Sequence, residues 1–441
     1  MHIAIVTAGG AGMFCGSCMH DNTLARALRE EGAEVTLIPT YTPIRVDEDN
    51  ASLDEVFLGG INVYLEYRWR WWQKLPRTLT RRLNARWILN FATRFGVSSD
   101  AAHLGDLTLA LLAGESGPQR KDIDELVAFL VDHLRPDVIC FSNALLVGVL
   151  KQLRERFAGP IYCTLQGDDV FLEALPEKHR RQALEMMHGR AGEFDGFLVH
   201  SRYYRDFMAG YLRLPQERFH QLPLGIDLHG HDGEPGLGGD DVFTVGYFAR
   251  ICPEKGLHRL VEAFRVLHRS CPNIRLRAGG SLTKQDEAYL RNVRREARDL
   301  GEAFEYIGSP NTHAAKVEFL KSLDVLSVPT VYHEPKGLYV LEALANGVPV
   351  VQPRHGAFPE LIEATGGGLL VEPDSIPDLA RALEELRTQP QQRLDLGRQG
   401  QQRVRELFNR KRMAESTLAL FANRSHNTVT DHTAETAGER H

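Results

Sequence analysis

The alternation of short apolar runs with segments of helical spacing constrains this chain most. The runs fall at His2–Thr7, Glu34–Ile38, Asp137–Ser142, Pro160–Leu165 and Gly196–His200. The pattern stops in Leu228–Asp241, where five glycines, one proline and four acids mark a linker. It restarts at Val242–Phe248 and continues through Ile274–Ala278, Phe304–Ile307, Asp324–Val328 and Val348–Gln352. Strands that alternate with helices pair in parallel, because each crossover helix carries the chain back over the sheet. The expected fold class is therefore α/β, as two Rossmann-like, doubly wound lobes. The expected boundaries are 1–227 for the first lobe, 228–241 for the linker and 242–405 for the second. A helix over 406–422 is expected to pack back on the first lobe, and the polar, apolar-poor 423–441 is expected to be disordered.

The 441 residues exceed what a single core organises. A net charge of −6 gives no global reason to expect nucleic acid as a partner. No apolar run is long enough to span a bilayer. Met1-His2-Ile3 runs straight into a strand with no signal-peptide pattern, and the six cysteines lack a disulfide-framework spacing. These features suit a reducing, cytoplasmic setting.

The chemistry concentrates in Val331–Val351. A strand leads in, Pro335 and Gly337 break the chain, a helical run covers Leu338–Ala345, and Gly347 ends it. In such a unit the loop lies at the carboxyl end of the sheet, where open α/β folds bind ligands. Amides around Gly337, including those of Leu338 and Tyr339, open a helix and can meet an anion. Glu334 lies in the loop, and Glu342 follows about one and a half turns into the helix. Taken singly, each glutamate reads as a solvated charge.

Other stretches carry weaker signals. The glycine-rich Ala8–Cys18 follows the first strand and could hold a phosphate, with Asp21 as the expected N-cap of a helix over Asn22–Glu31. The strict dinucleotide fingerprint is absent. Cys15 and Cys18 with His20 invite a metal or redox reading: no further ligands for zinc lie nearby, a thioredoxin-like pair at a helix start after a strand fits, and the plainer reading is small residues filling a tight loop. The Asp-x-Asp of Asp47-Glu48-Asp49 sits in a polar, turn-rich stretch and reads as solvated loop. Tyr67–Phe95 holds all four tryptophans and many arginines, which suits an anionic membrane interface or a phosphate- or sugar-bearing acceptor as well as a packed helical insertion.

Glu334-Pro335-Lys336-Gly337 followed by Leu341-Glu342-Ala343-Leu344-Ala345-Asn346-Gly347 resembles the Glu-x7-Glu signature of the retaining family 4 glycosyltransferases with the GT-B fold. Arg250-Ile251-Cys252-Pro253-Glu254-Lys255-Gly256 resembles that family's Arg-x4-Lys-Gly diphosphate motif. Thr164-Leu165-Gln166-Gly167-Asp168-Asp169 resembles its Thr-Leu-His-Gly-x-Asp segment, with Gln166 in place of a histidine that lies near the donor sugar. Glutamine donates and accepts hydrogen bonds but carries no proton.

The resemblance runs from Ile3 to about Leu420. It implies two lobes facing across a cleft and transfer of a sugar from a nucleotide diphosphate donor with retention of anomeric configuration. Glu334 would then meet the donor sugar, Glu342 the ribose, and Arg250 and Lys255 the diphosphate. Amides near Gly16 and Ser17 would close the site, although the family's Gly-Gly is Cys15-Gly16 here. Gln166 and Asp169 would lie by the donor. With Arg250 and Lys255 to meet the leaving charge, no metal or other cofactor is expected. The acceptor is open: a glycan, a lipid-linked sugar or a small molecule. A nucleotide-sugar epimerase of the same fold, or a non-catalytic sugar-nucleotide-binding protein, fits the same residues. A phosphorylase would need a pyridoxal-bearing lysine, for which no motif is present.

Overall fold

The computed structural model describes residues 1–9, 15–58, 101–235 and 242–423. Tyr67–Phe95, Gly10–Phe14, the second half of the linker and the tail from 424 lie outside the described residues. The chain forms two compact units. One comprises Met1–His200, Arg205–Pro223 and Lys411–His441, and the other Ser201–Tyr204 and Leu224–Arg410.

The first unit is built on a parallel sheet of β1 (His2–Thr7), β2 (Glu34–Pro39), β3 (Val138–Phe141), β4 (Ile161–Thr164), β5 (Gly196–Val199) and β6 (Phe219–Gln221), in the order β2-β1-β3-β4-β5-β6. Every residue of β3, β4 and β5 is buried. Strands covered on both faces read as unbroken apolar runs rather than alternating ones, which is why they are conspicuous in the sequence. A last helix over 410–423 packs into this unit: Met413 and Ala414 join its core, and Phe421 stacks on Tyr162 with ring centroids 4.9 Å apart.

The second unit has β7 (Phe243–Phe248), β8 (Ile274–Gly279), β9 (Phe304–Tyr306), β10 (Val325–Ser327), β11 (Val350–Pro353) and β12 (Gly368–Val371), ordered β12-β11-β10-β7-β8-β9 and all parallel. Read from β9 this is the doubly wound order, with its reversal between β7 and β10. Chain leaving the carboxyl ends of those two strands splays apart there and leaves a crevice for a ligand.

Two strands and one helix start differ from the sequence reading. β6 is three residues long, Phe-His-Gln, and β12 follows the glycines Gly366 and Gly367. Both are edge strands too short or too glycine-flanked to stand out as apolar runs. Asp21 is not an N-cap. The first helix begins at Gly16 and runs to Glu30, with Cys15 in extended conformation as the cap, so Asp21 lies a turn inside it and is buried.

Candidate functional site

In the second unit, β7 leads into a loop and a short 3-10 turn, Pro253–Lys255, before the helix Leu257–Ser270. Gly256 joins the two at φ +74°, and a Cβ there would lie 1.8 Å from the carbonyl oxygen of Pro329, which follows β10. Only glycine permits that approach. The amide of Val331 also donates to the Glu254 carbonyl at 2.8 Å. The two loops at the β7/β10 reversal are thus held together by backbone, and this brings Lys255 onto Glu334.

Glu334 is buried, and three donors converge on its Oε2: Lys255 Nζ at 2.6 Å, the Tyr332 hydroxyl at 2.8 Å and the Tyr339 hydroxyl at 3.1 Å. Lys255 Nζ also bonds the Tyr332 hydroxyl at 2.6 Å and lies 5.0 and 5.2 Å from the ring centroids of Tyr332 and Tyr339. Burial alone would push the Glu334 carboxyl up, but the adjacent ammonium and the phenol hydrogen bonds outweigh it and hold the group down at about 2. Burial also raises both phenols well above their ordinary range, so each remains a neutral donor. Among the described residues no donor bonds Oε1. The Glu334 main chain is fixed by the amide of Ala357, 2.8 Å from its carbonyl oxygen.

The helix Leu338–Ala345 starts at Gly337, which has φ +78°. The amide of Val340 bonds the Gly337 carbonyl at 3.0 Å, and the amides of Leu338 and Tyr339 head the helix with no acceptor among the described residues. Inside that helix Glu342 is not a solvated charge. It is buried, and its Oε1 accepts from Lys316 Nζ at 2.7 Å. Lys316, itself buried, comes from the helix His313–Lys321. Arg250 stands apart from these pairs: its Nε lies 3.2 Å from Cys252 Sγ and its Nη2 3.9 Å from Glu254, with the side chain nearly half exposed.

The first unit gathers a different set at the carboxyl ends of its strands. Asp21 Oδ2 accepts from the Thr7 hydroxyl at 2.6 Å, and its Oδ1 accepts from Gln166 Nε2 at 2.8 Å and lies 3.2 Å from His20 Nδ1. His20 packs on His200 with ring centroids 4.6 Å apart. Gln166 is thus a buried amide oriented by Asp21. Its neighbour Asp168 is buried at the start of the helix Asp168–Glu173 and accepts from the amides of Ala144 at 2.7 Å and Gln166 at 3.0 Å. Burial pushes its carboxyl up to about 6 despite those bonds. Asp169, half-buried, is the second residue of that helix, and Gly167 occupies the cap position. Gly16 and Ser17 head the first helix, where first-turn amides lack intrahelical acceptors. Cys18 is buried in the core with Cys15 packed against it. Glu48 pairs with Arg26 at 2.7 Å, so this part of the Asp-x-Asp stretch ties the loop to the first helix.

Residues 237–403 match the family described as glycosyl transferases group 1. That stretch of the second unit is similar to the group 1 glycosyltransferases. This is the grouping that the Glu-x7-Glu and Arg-x4-Lys-Gly motifs resemble. Trehalose synthase of Rubrobacter xylanophilus is 30% identical over 178 residues, which cover 40% of this chain and 42% of that protein. The match thus spans about two fifths of that relative's length. Two solved structures share the GT-B fold almost end to end. Sucrose-phosphate synthase from Thermosynechococcus elongatus has a TM-score of 0.70 at 20% identity, covering 96% of this chain and 98% of its own. The Anabaena protein HepE, in complex with UDP and glucose, has a TM-score of 0.65 at 16% identity, covering 96% and 100%. Among the described residues, no helix is long and apolar enough to cross a membrane.

Sequence reasoning missed Lys316, Tyr332, Asp168 and the Asp21 cluster. Lys316 had a signal: it precedes Phe319 and Leu320 by three and four residues, so a cation sits on the buried stripe of its helix. Tyr332 had none, because its role depends on how two loops meet.

Proposed function

We propose that the chain transfers a sugar from a nucleotide diphosphate donor to an acceptor hydroxyl with retention of anomeric configuration and without a divalent cation. The observation that carries this reading is the buried Glu334–Lys255 pair at the β7/β10 reversal, beside the open amides of Leu338 and Tyr339. A leaving diphosphate develops negative charge that must be met by cations and oriented dipoles. Lys255, Arg250 and those amides supply them, and Arg250 is exposed enough to grip phosphate oxygens bidentately. In the reaction the bond from the anomeric carbon to the phosphate oxygen breaks. The acceptor oxygen bonds that carbon on the same face, and the acceptor's proton passes to a phosphate oxygen of the leaving group. Glu334 Oε1 orients a hydroxyl of the donor sugar, and the free oxygen of Glu342 takes the ribose hydroxyls. In the first unit, Gly16, Ser17, Gln166 and Asp169 are the residues assigned to the donor by the motif resemblance.

HepE was solved with UDP and glucose, so UDP-sugars are the first donors to test. Thermal unfolding with UDP, GDP and ADP should show stabilisation by at least one, since a ligand specific to the folded state raises apparent stability. Release of that diphosphate from its sugar in the presence of acceptor should survive a chelator. The product should keep the donor's anomeric configuration by NMR. Glu334→Ala and Arg250→Ala should each lower turnover by roughly 100-fold or more; unchanged transfer in both would overturn the assignment. The basic, tryptophan-rich Tyr67–Phe95 suits a lipid-linked acceptor and peripheral contact with an anionic membrane. Co-sedimentation with anionic but not neutral vesicles tests that contact.

A further inference from the structure

The three donors on Glu334 do not have equal standing. All three bond the same oxygen, Oε2, and Oε1 is left without a donor among the described residues. Lys255 is the most exposed of the pair, 16% against 6% for Glu334, so an incoming anion reaches the ammonium first. A diphosphate carries more charge than a carboxylate and competes for the Lys255 ammonium. As Lys255 turns to it, Glu334 loses its counter-charge while staying in a site with little water. A buried carboxylate so stripped takes up a proton unless other donors hold it.

We propose that Tyr332 and Tyr339 are positioning residues that keep the Glu334 carboxylate charged and Oε1 aimed outward while Lys255 is handed from Glu334 to a nucleoside diphosphate. This inference rests on the reading of the site given under Proposed function. The phenols suit the task on geometry. Tyr332 accepts from Lys255 and donates its single proton to Glu334, and Tyr339 donates from the start of the helix behind it. The two ring faces flank the ammonium and give it a low-cost path as it moves between partners. Both hydroxyls are neutral donors at any working pH, so this support does not switch off as the lysine leaves.

The test is proton counting. Binding of UDP, GDP and ADP is measured by calorimetry at pH 6 in buffers of different ionisation enthalpy, for the wild type, Tyr332→Phe and Tyr332→Phe/Tyr339→Phe. The wild type is expected to bind one diphosphate with no net proton uptake. Relative to the wild type, which shares whatever proton the terminal phosphate releases, the double variant should take up close to one additional proton per diphosphate bound, fading by pH 8, with Tyr332→Phe between them. The single variant keeps the comparison usable if the pair does not fold. A merely structural role would change affinity and leave the proton count alone. Folded variants that bind with the wild-type proton count overturn the inference, as does a wild type that itself takes up a proton. Failure of all three diphosphates to bind the wild type is a different result, and it removes the nucleotide-sugar reading together with this one.

Discussion

Glu334 in the second unit and Asp168 in the first are both buried carboxylates, each near the carboxyl end of a parallel strand. They are answered by different chemistry. Glu334 has an ammonium and two phenols and is held at about 2, whereas Asp168 has two backbone amides and is pushed up to about 6. Burial wins at Asp168, whereas at Glu334 the ammonium and the two phenols together outweigh it. The comparison separates a carboxylate built to stay charged beside a cation that a ligand can take from one built mainly to tie a loop to a helix start.

The largest expected effect comes from removing the cation. Lys255→Met leaves Glu334 buried beside a methyl group, and breaking such a pair costs about 3–5 kcal/mol of stability at neutral pH. Because Glu334 has a depressed folded-state pKa, its contribution is present above its unfolded pKa and lost as pH falls toward 2. The deficit of the variant, read by urea unfolding, should therefore shrink as pH falls from about 4.5 toward 2. A deficit below about 1 kcal/mol that ignores pH would show that the two phenols alone keep the carboxylate ionised in the ligand-free protein.

Asp168 predicts the opposite slope. Its folded-state pKa is raised, so its contribution is fully present below the unfolded value near 4 and lost as pH rises through about 6. The rise of that carboxyl to about 6 corresponds to roughly 3 kcal/mol. Asp168→Asn removes that slope and adds a pH-independent cost of about 1–3 kcal/mol, since its amide faces a backbone N–H that wants an acceptor. Urea midpoints from pH 4 to pH 7 distinguish the two components; a variant that keeps the wild-type slope would mean another group titrates there.

The sheets and the second-unit loop were legible in the sequence for the reason that makes this comparison possible. Strands buried on both faces must be apolar throughout. The loop at the β7/β10 reversal must break at Pro335 and Gly337 and pass close to Gly256, which fixes residue types locally. The partners of the glutamates were not legible, because Lys255 and Tyr332 meet Glu334, and Lys316 meets Glu342, only after separate crossovers fold. Asp21 was misplaced for a related reason. An aspartate a turn inside a helix and one at its cap look alike in sequence, and only the tertiary bonds to Thr7 and Gln166 distinguish them.

The smallest expected effect sharpens the first-unit side of the comparison. Gln166→Leu removes one of the neutral donors on Asp21 and should cost about 1 kcal/mol, because Thr7 and His20 still bond that carboxylate. Gln166→His tells more. A ring N–H placed where Nε2 now lies would restore the donor, and Asp21 beside it would favour the charged imidazole and raise its pKa. Stability should then be close to wild type at pH 5 and fall as pH rises through that raised value. The wild type, with glutamine, has no titrating group at this position. If Gln166→His matches Gln166→Leu at every pH, the side chain at 166 does not reach Asp21 in solution, and the neutral network described for the first unit is not what orients it.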